Sequence, residues 1–315
     1  MATFLVTGGA GFIGSHLATA LAARGDSVRV LDNFSTGHRR NLAHLADTVE
    51  VIEGDLLDSA TVAAAVVGVD CIFHQAALAS VPRSVDRPLE THAACATGTL
   101  MLLEAARKAG VRRVVYAGSS SAYGDQAGHA KLETDLPAPR SPYAAAKLAG
   151  EHYCHAFWVT HGLETVTVRY FNVFGPRQDP DSPYSAVIPL FVTAMLGGRP
   201  PTVFGDGRQS RDFTYVENVV HGNLLAAAAP AAAGATINLA CGEETDLLEL
   251  VAAINQVLGT DIQPRFEPPR PGDVRASRAD IALARALLDY QPSVDFRTGL
   301  RRSIDYYRSL TQRFK

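Results

Sequence analysis

The sequence predicts an α/β protein: a doubly wound parallel sheet with helices on both faces, joined to a smaller, mostly helical C-terminal domain. Three observations carry this. Short β-branched runs alternate with longer helical patterns through the first half of the chain, the order of a parallel sheet whose strands are linked by crossover helices. A glycine-rich turn, Thr7-Gly8-Gly9-Ala10-Gly11-Phe12-Ile13-Gly14, stands at the first strand-to-helix junction. Beyond residue 172 the texture changes, with frequent proline and glycine (Pro176, Pro180, Pro183, Gly197, Gly198, Pro200, Pro201) between helical stretches.

The elements follow in order. Residues 3–7 read as a strand, 12–24 as a helix stopped by Gly25, and 27–31 as the second strand. Strands at 49–53 and 70–74 flank a helix at 59–67. A long helix at 91–109 ends at Gly110, and 111–118 is the next strand. A helix at 143–161 closes at Gly162 before a strand at 164–169, since glycine just past a periodic segment is a helix stop. Residues 1–171 therefore form the first domain and 172–315 the second, with segments around 217–240 expected to pack back on the first. There is no internal repeat and no low-complexity tail, although alanine enriches 226–233.

Composition narrows the class. The chain has 315 residues, 47% hydrophobic and 19% charged, a balance of soluble globular enzymes rather than disordered segments. A formal charge of −3, with short basic spots such as Arg39-Arg40 and Arg301-Arg302, gives no stripe for nucleic acid. Four scattered cysteines (71, 95, 154, 241) fit reduced thiols in the cytoplasm better than a disulfide framework. The apolar start is interrupted by glycines too early for a signal peptide, and no apolar run is long enough to span a membrane.

The glycine-rich turn points to a dinucleotide. Gly8 permits the tight turn, Gly11 lets backbone approach a pyrophosphate, and Gly14 allows close helix–strand packing. The helix N-terminus then offers N–H groups to phosphates. The second strand leads to Asp32, whose carboxylate suits both hydroxyls of an adenosine ribose and repels a 2′-phosphate, favouring NAD over NADP. Arg39 and Arg40 keep the NADP reading open.

A second signal is Tyr143 and Lys147, spaced Tyr-x-x-x-Lys in SPYAAAKLAG. Residues four apart share a helix face, and an ammonium beside a phenol favours the phenolate, a general base. Tyrosine ionises near pH 10, so a base working near neutrality needs a shift of about 3 units, roughly 4 kcal/mol. With ten tyrosines and only four lysines (108, 131, 147, 315), chance pairs at this spacing are few but not negligible.

Joined, these parts resemble the extended short-chain dehydrogenase/reductases, and within them the UDP-sugar 4-epimerases. The resemblance runs nearly end to end, on TGGAGFIG, LDNFSTG, GDL, HQAA, SSSAYGD, SPYAAAK, RYFNVFGPRQDP, GDGRQSRDFTYVEN and RPGDVRAS. Several segments are most similar to the UDP-N-acetylglucosamine 4-epimerases of bacterial surface-polysaccharide pathways. The resemblance implies a catalytic set of Ser119, Tyr143 and Lys147, with Ser121 sharing the serine role. It implies tightly held NAD contacted by Gly8, Gly11, Phe12, Ile13, Gly14, Asp32, Asn33, Ser35, Gly37, Asp55, Leu56, Gln75, Ala76 and Ala77, together with Tyr143 and Lys147. Tyr143 would take the 4-hydroxyl proton as C4 gives up a hydride; the 4-keto sugar would turn over and receive both on its other face.

For the UDP-sugar, the resemblance implies Asn172, Arg211 and Arg270 at the diphosphate and nucleotide, where guanidinium groups suit phosphate, with Asp273 in the same segment as Arg270. Phe204 matches an aromatic beside uracil, although a core phenylalanine would fit PTVFGD equally. Ser277 aligns with the position that closes the sugar pocket, where serine leaves room for a 2-acetamido group. Gln178 matches a side chain that faces that group. UDP-GlcNAc and UDP-GalNAc are thus the expected substrates, with UDP-Glc and UDP-Gal weakly rejected. One departure bears on this: many UDP-glucose epimerases have a lysine where this chain has Ala79, and the loop offers Arg83, which a carboxylated sugar would suit.

Rival readings remain. A 4,6-dehydratase of this architecture carries an acid pair directly after the active-site Ser/Thr, and a decarboxylase a glutamate; Ser120 and Ser121 stand there instead. A UDP-uronate 4-epimerase is harder to separate. A non-catalytic dinucleotide-binding protein would commonly have lost Tyr143 or Lys147. Glu151-His152-x-x-His155 has metal-like spacing but no third ligand, so no metal is expected. The family implies a homodimer through helices 91–109 and 143–161, where Ala93, Ala94, Ala96, Leu100 and Leu103 make an apolar stripe; burial within one subunit explains the same stripe.

Overall fold

The computed structural model describes residues 2–126, 130–180, 186–269 and 274–312. Alternation in the first half gives, in order, β1 (Thr3–Thr7), α1 (Phe12–Ala23), β2 (Ser27–Asp32), β3 (Val49–Glu53), α2 (Ser59–Ala65), β4 (Cys71–His74), α3 (Val81–Asp86), α4 (Pro88–His92), α5 (Gly98–Ala109), β5 (Arg113–Ser119), α6 (Pro142–His161) and β6 (Glu164–Tyr170). The second half continues with β7 (Val173–Phe174), α7 (Val187–Leu196), β8 (Thr202–Phe204), β9 (Ser210–Arg211), β10 (Thr214–Tyr215), α8 (Val216–Ala228) and β11 (Thr236–Leu239). It ends with β12 (Thr245–Asp246), α9 (Leu247–Leu258), β13 (Arg265–Glu267), β14 (Ala276–Ser277), α10 (Ala282–Leu288) and α11 (Phe296–Gln312).

Seven parallel strands form one sheet in the order β3-β2-β1-β4-β5-β6-β11. This is the doubly wound Rossmann order with one added strand. Leu5, Val6, Ile72, Phe73, Val114, Val115, Val166 and Val168 are all completely buried, because helices cover both faces of the inner strands; the edge strand β3 is largely exposed. One face packs on α1, α8 and α10, the other on α2, α5 and α6. Between them the order reverses at β1 and β4, the place where such sheets leave a crevice at their carboxyl ends.

The ends of α6 are set by local chemistry. Ser141 caps it, accepting from the Ala144 N–H at 3.1 Å, Pro142 opens the first turn, and Gly162 ends it at φ 69°. The single helix expected at 91–109 is instead α4, a π turn (Ala93–Thr97) and α5. The Thr99 hydroxyl donates to the Cys95 carbonyl at 2.6 Å, and Cys95 and Ala96 pack on Ala146 and Tyr143. The wider turn thus faces α6; π turns inside helices occur frequently at functional sites.

Beyond β6, α7, α9 and α11 enclose a second core with Phe174, Phe213 and Tyr215. Between the helices lie strand ladders of two or three residues: β7 with β10, β8 with β13, and β9 between β12 and β14. Sequence periodicity cannot register strands that short. Strand β11 pairs with β6 in the main sheet, and α8 packs on α1. Among the described residues no helix is long and apolar enough to cross a membrane.

Candidate active site

The crevice is walled by the residues that follow β1, β4, β5 and β6. Gly8 N–H bonds the Leu31 carbonyl at 2.8 Å, and Gln75 N–H the Thr7 carbonyl at 3.1 Å, so the two turns sit side by side. Gly8 has φ +67°, and a Cβ on it would lie 2.7 Å from Ala76 Cα. A Cβ on Gly14 would lie 2.2 Å from the Gly8 carbonyl oxygen. Gly11 caps α1 without any side-chain bond, leaving the helix N-terminus to its own N–H groups.

Asp32 is buried, accepting from the Ala10 N–H (2.8 Å) and the Phe34 N–H (2.8 Å) with one oxygen each. Burial raises its carboxyl pKa and these two bonds oppose the rise; each oxygen keeps a free lone pair facing a sugar diol. The loop that follows is pinned by Asn33 Nδ2 to Asp55 at 2.7 Å and by the Ser35 N–H to Asn33 at 3.0 Å. Gly37 is buried against Ala10. Phe34 adopts φ 55°, and Arg39 lies 4.1 Å above its ring while pairing with Glu53. Arg39, one of the two arginines that kept NADP open, is thus engaged at the surface, while Arg40 is exposed. Leu56 is buried beside Gly98, so its side chain is core; Phe12 and Ile13 pack partly into the two cores.

The residues fit NAD on three counts. Glycines stand where any Cβ would strike backbone, and the ribose carboxylate is set at the end of β2. Gln75 adds a third: its Oε1 accepts from Tyr170, but its buried Nε2 has no partner among the described residues. Ala76 and Ala77 beside it are small and half-buried.

Ser119 ends β5, and its Oγ lies 2.8 Å from Ser121 Oγ while accepting from the Ser121 N–H at 3.2 Å. Burial pushes the Tyr143 phenol pKa up, and the neighbouring Ser119 hydroxyl opposes the rise. Lys147 is buried, which lowers its pKa. Its Nζ lies 4.2 Å from the centre of the Tyr116 ring and makes no hydrogen bond to a described residue. Tyr116 Oη donates to the Lys147 carbonyl at 3.0 Å, and a Cβ on Gly150 would strike that hydroxyl at 2.3 Å. Helix α6 is thus seated on β5 at the lysine itself.

Beneath lies a network that sequence reasoning missed. The Thr99 hydroxyl donates to Cys95, so His74 Nε2–H donates to Thr99 Oγ1 (2.9 Å). His74 Nδ1 then accepts from Thr7 Oγ1 (2.7 Å), which accepts the Ala76 N–H (3.3 Å). The imidazole is neutral, and burial pushes its pKa down to about 3. His74 stands in the HQAA segment, but nothing in the sequence marks this ring as the tie between β1, β4 and α5. Tyr116 was missed too, since one buried aromatic in a strand carries no motif.

On the substrate side, Asn172 is exposed with φ 26°, a strained conformation that asparagine tolerates best after glycine. Phe204 is half-buried, not core, and lines a cavity of about 760 Å³ with Phe191, Arg199, Pro201 and Arg265. Arg211 and Ser277 face each other in the β9/β14 register. Gln178 turns its amide nitrogen to the Val173 carbonyl (3.2 Å), leaving Oε1 buried without a partner among the described residues. Arg270 and Asp273 lie outside the described residues. Arg83 pairs with Glu90 at 3.3 Å. His152 and His155 are exposed while Glu151 turns inward to Arg169, so that motif does not converge. In the apolar stripe, Ala96 and Leu103 are buried within the chain's own core.

A glycine-cradled dinucleotide groove beside a Ser–Tyr–Lys constellation defines the class: the chain belongs to the NAD dependent epimerase/dehydratase family, whose profile matches residues 4–240. It is 41% identical over 313 residues, 98% of this chain and 99% of the relative, to the UDP-glucose 4-epimerase of Mycolicibacterium smegmatis. Its fold is similar to that of UDP-N-acetylglucosamine 4-epimerase from Methanobrevibacter ruminantium, solved with UDP-N-acetylmuramic acid: TM-score 0.94, 38% identity, 98% and 99% of the two chains covered. UDP-glucuronic acid 4-epimerase from Bacillus cereus, solved with NAD, gives TM-score 0.92 at 32% identity over 98% and 99% of the two chains.

Proposed function

We propose that the protein is a UDP-hexose 4-epimerase that interconverts UDP-GlcNAc and UDP-GalNAc, accepts UDP-Glc and UDP-Gal less selectively, and works in the cytoplasm on precursors of surface polysaccharides. The observation that carries the reaction class is the Ser119–Ser121 hydroxyl pair beside the Tyr143 phenol, with serine rather than an acid at positions 120 and 121. Such a site can take a proton and return it, but has no side chain there to eliminate water.

When bound, NAD supplies the hydride acceptor and a positive ring charge. The chain supplies the rest. Gly8, Gly11 and Gly14 admit the pyrophosphate, and Asp32 takes the ribose hydroxyls. Lys147, buried and without a hydrogen bond among the described residues, would donate to a ribose hydroxyl and lend its charge to the phenolate. Ser119 orients the sugar's 4-hydroxyl, and Tyr143 removes its proton, then gives it back after the 4-keto sugar has turned. Arg211 binds the diphosphate, and Phe204 with its cavity takes the uracil. Ser277, opposite Arg211 in register, leaves room for the acetamido group.

The test is incubation of purified protein with UDP-GlcNAc, UDP-Glc and UDP-GlcA, without added NAD, followed by NMR. A UDP-GlcNAc/UDP-GalNAc mixture is expected. No epimerisation of any of the three sinks the assignment, and preferential turnover of UDP-GlcA transfers it to the uronates. The engagement of Arg83 with Glu90 weighs against that second outcome. The proposed homodimer uses apolar side chains left open on neighbouring helices, Val85 (63% exposed) on α3, Leu89 (83%) on α4 and Tyr153 on α6. Leu89→Asp should shift sedimentation to the monomer.

A further inference from the structure

Glu151 lies one turn beyond Lys147 and two beyond Tyr143, so all three share the face of α6 that packs on the sheet. Its carboxylate forms a two-pronged pair with Arg169 of β6, Nε to Oε2 at 3.0 Å and Nη2 to Oε1 at 2.5 Å. The side chains are only 3% and 8% exposed, arginine first. Arg169 sits opposite Gly118 in the β5/β6 register, one residue before Ser119. Its guanidinium lies 4.6 Å from the centre of the Tyr123 ring, in the short helical turn that also carries Ser121. The anion therefore holds the helix of Tyr143 and Lys147, and the cation holds the turn of Ser119 and Ser121.

Stability does not explain such a pair. Burying two charges costs about as much as their attraction returns, and apolar replacements of similar volume are often as stable. What an ion pair adds is a fixed geometry between the two segments it joins. We propose that Glu151 and Arg169 are the positioning pair of the active site, locking α6 against the 119–121 turn and setting a carboxylate one turn from the Lys147 ammonium. The role rests on the epimerase reading above. The groups facing Lys147 are His74 from β4, Cys95 from the π turn, Tyr116 from β5, and Cys154 and Glu151 from α6. Of these, Glu151 is the carboxyl group, and it opposes the burial that lowers the lysine pKa.

Two variants test this: Glu151→Gln, and the double variant Glu151→Met with Arg169→Met. In both, kcat should fall by about 10- to 100-fold while KM for the UDP-sugar and the bound NAD change by less than about 2-fold, as for an interaction realised in the transition state. In Glu151→Gln, which leaves the arginine charge in place, the alkaline limb of kcat against pH should move down by about one unit, the size of one lost charge at helix-turn distance; in the double variant, which removes both charges, it should move less. The double variant should melt near the wild type. With an active wild type, unchanged kcat in either variant, or an unshifted limb in Glu151→Gln, would overturn the proposal. So would recovery of kcat in the double variant, or its failure to fold, since both make the pair purely structural. A wild type that epimerises nothing in the same assay instead removes the epimerase reading itself.

Discussion

Tyr143 carries the sharpest residue-scale prediction. Its phenol is held protonated by burial, with the neighbouring Ser119 hydroxyl opposing that effect, so it becomes a base only with a cation brought beside it. Tyr143→Phe removes the proton acceptor and leaves the groove untouched; kcat should fall by about 100-fold or more, the usual worth of a positioned base, with bound NAD retained by absorbance. Near-full activity would take Tyr143 out of the mechanism. Ser277→Tyr addresses the sugar: kcat/KM for UDP-GlcNAc should drop by about 100-fold and for UDP-Glc by less than about 3-fold. Equal losses would end the gate idea. At this scale the sequence was legible wherever a role is tied to spacing, as with Tyr143 and Lys147 or the glycines of the first turn. It was silent on Tyr116 and Arg169, whose parts come from what lies across the sheet.

At the scale of elements, α1 and the turn before it act as one piece. Gly14 is helical yet lies against the backbone of Gly8 and Gly9, where a Cβ would sit at 2.2 and 2.8 Å. Gly14→Ala must push the helix off the turn, at about 3 kcal/mol for overpacking against atoms that cannot rotate away. The expected result is loss of co-purifying NAD with a lowered Tm. Gly197→Ala, whose Cβ would meet nothing nearer than 3.4 Å, is the control and should change neither. Helix ends such as Ser141 and Gly162 were readable because caps are local chemistry. The π turn and the two-residue ladders were not, because the bonds that impose them come from distant segments: His74 to Thr99, and the Asp212 N–H to the Ser277 carbonyl at 2.7 Å.

For the whole molecule, the buried histidines make stability depend on pH. His74 is completely buried, neutral and bonded through both nitrogens, with its pKa down near 3; His16, bonded to the Pro176 carbonyl at 2.9 Å, is held near 4. In the unfolded chain both titrate near 6.5. Between those values the unfolded state binds protons that the folded state refuses, so their contribution is complete above about pH 6.5 and is lost progressively as pH falls. Asp212 works the other way: burial lifts it to about 6, so its contribution falls as pH rises from about 4 to 6. The net profile mixes these, and a variant isolates one of them. His74→Gln keeps a donor and an acceptor between Thr7 and Thr99 but cannot titrate. Measured by urea unfolding from pH 7.5 down to 4.5, the wild type should lose about 1.4 kcal/mol per pH unit more than the variant once below pH 6, the slope of one proton. Parallel profiles would mean that His74 is protonated in the fold and that the Thr7/His74/Thr99 tie is drawn wrongly. A steeper wild-type slope would show that the residue joining the first strand to the fourth, directly under the glycine turn, is also one through which acid destabilises the fold.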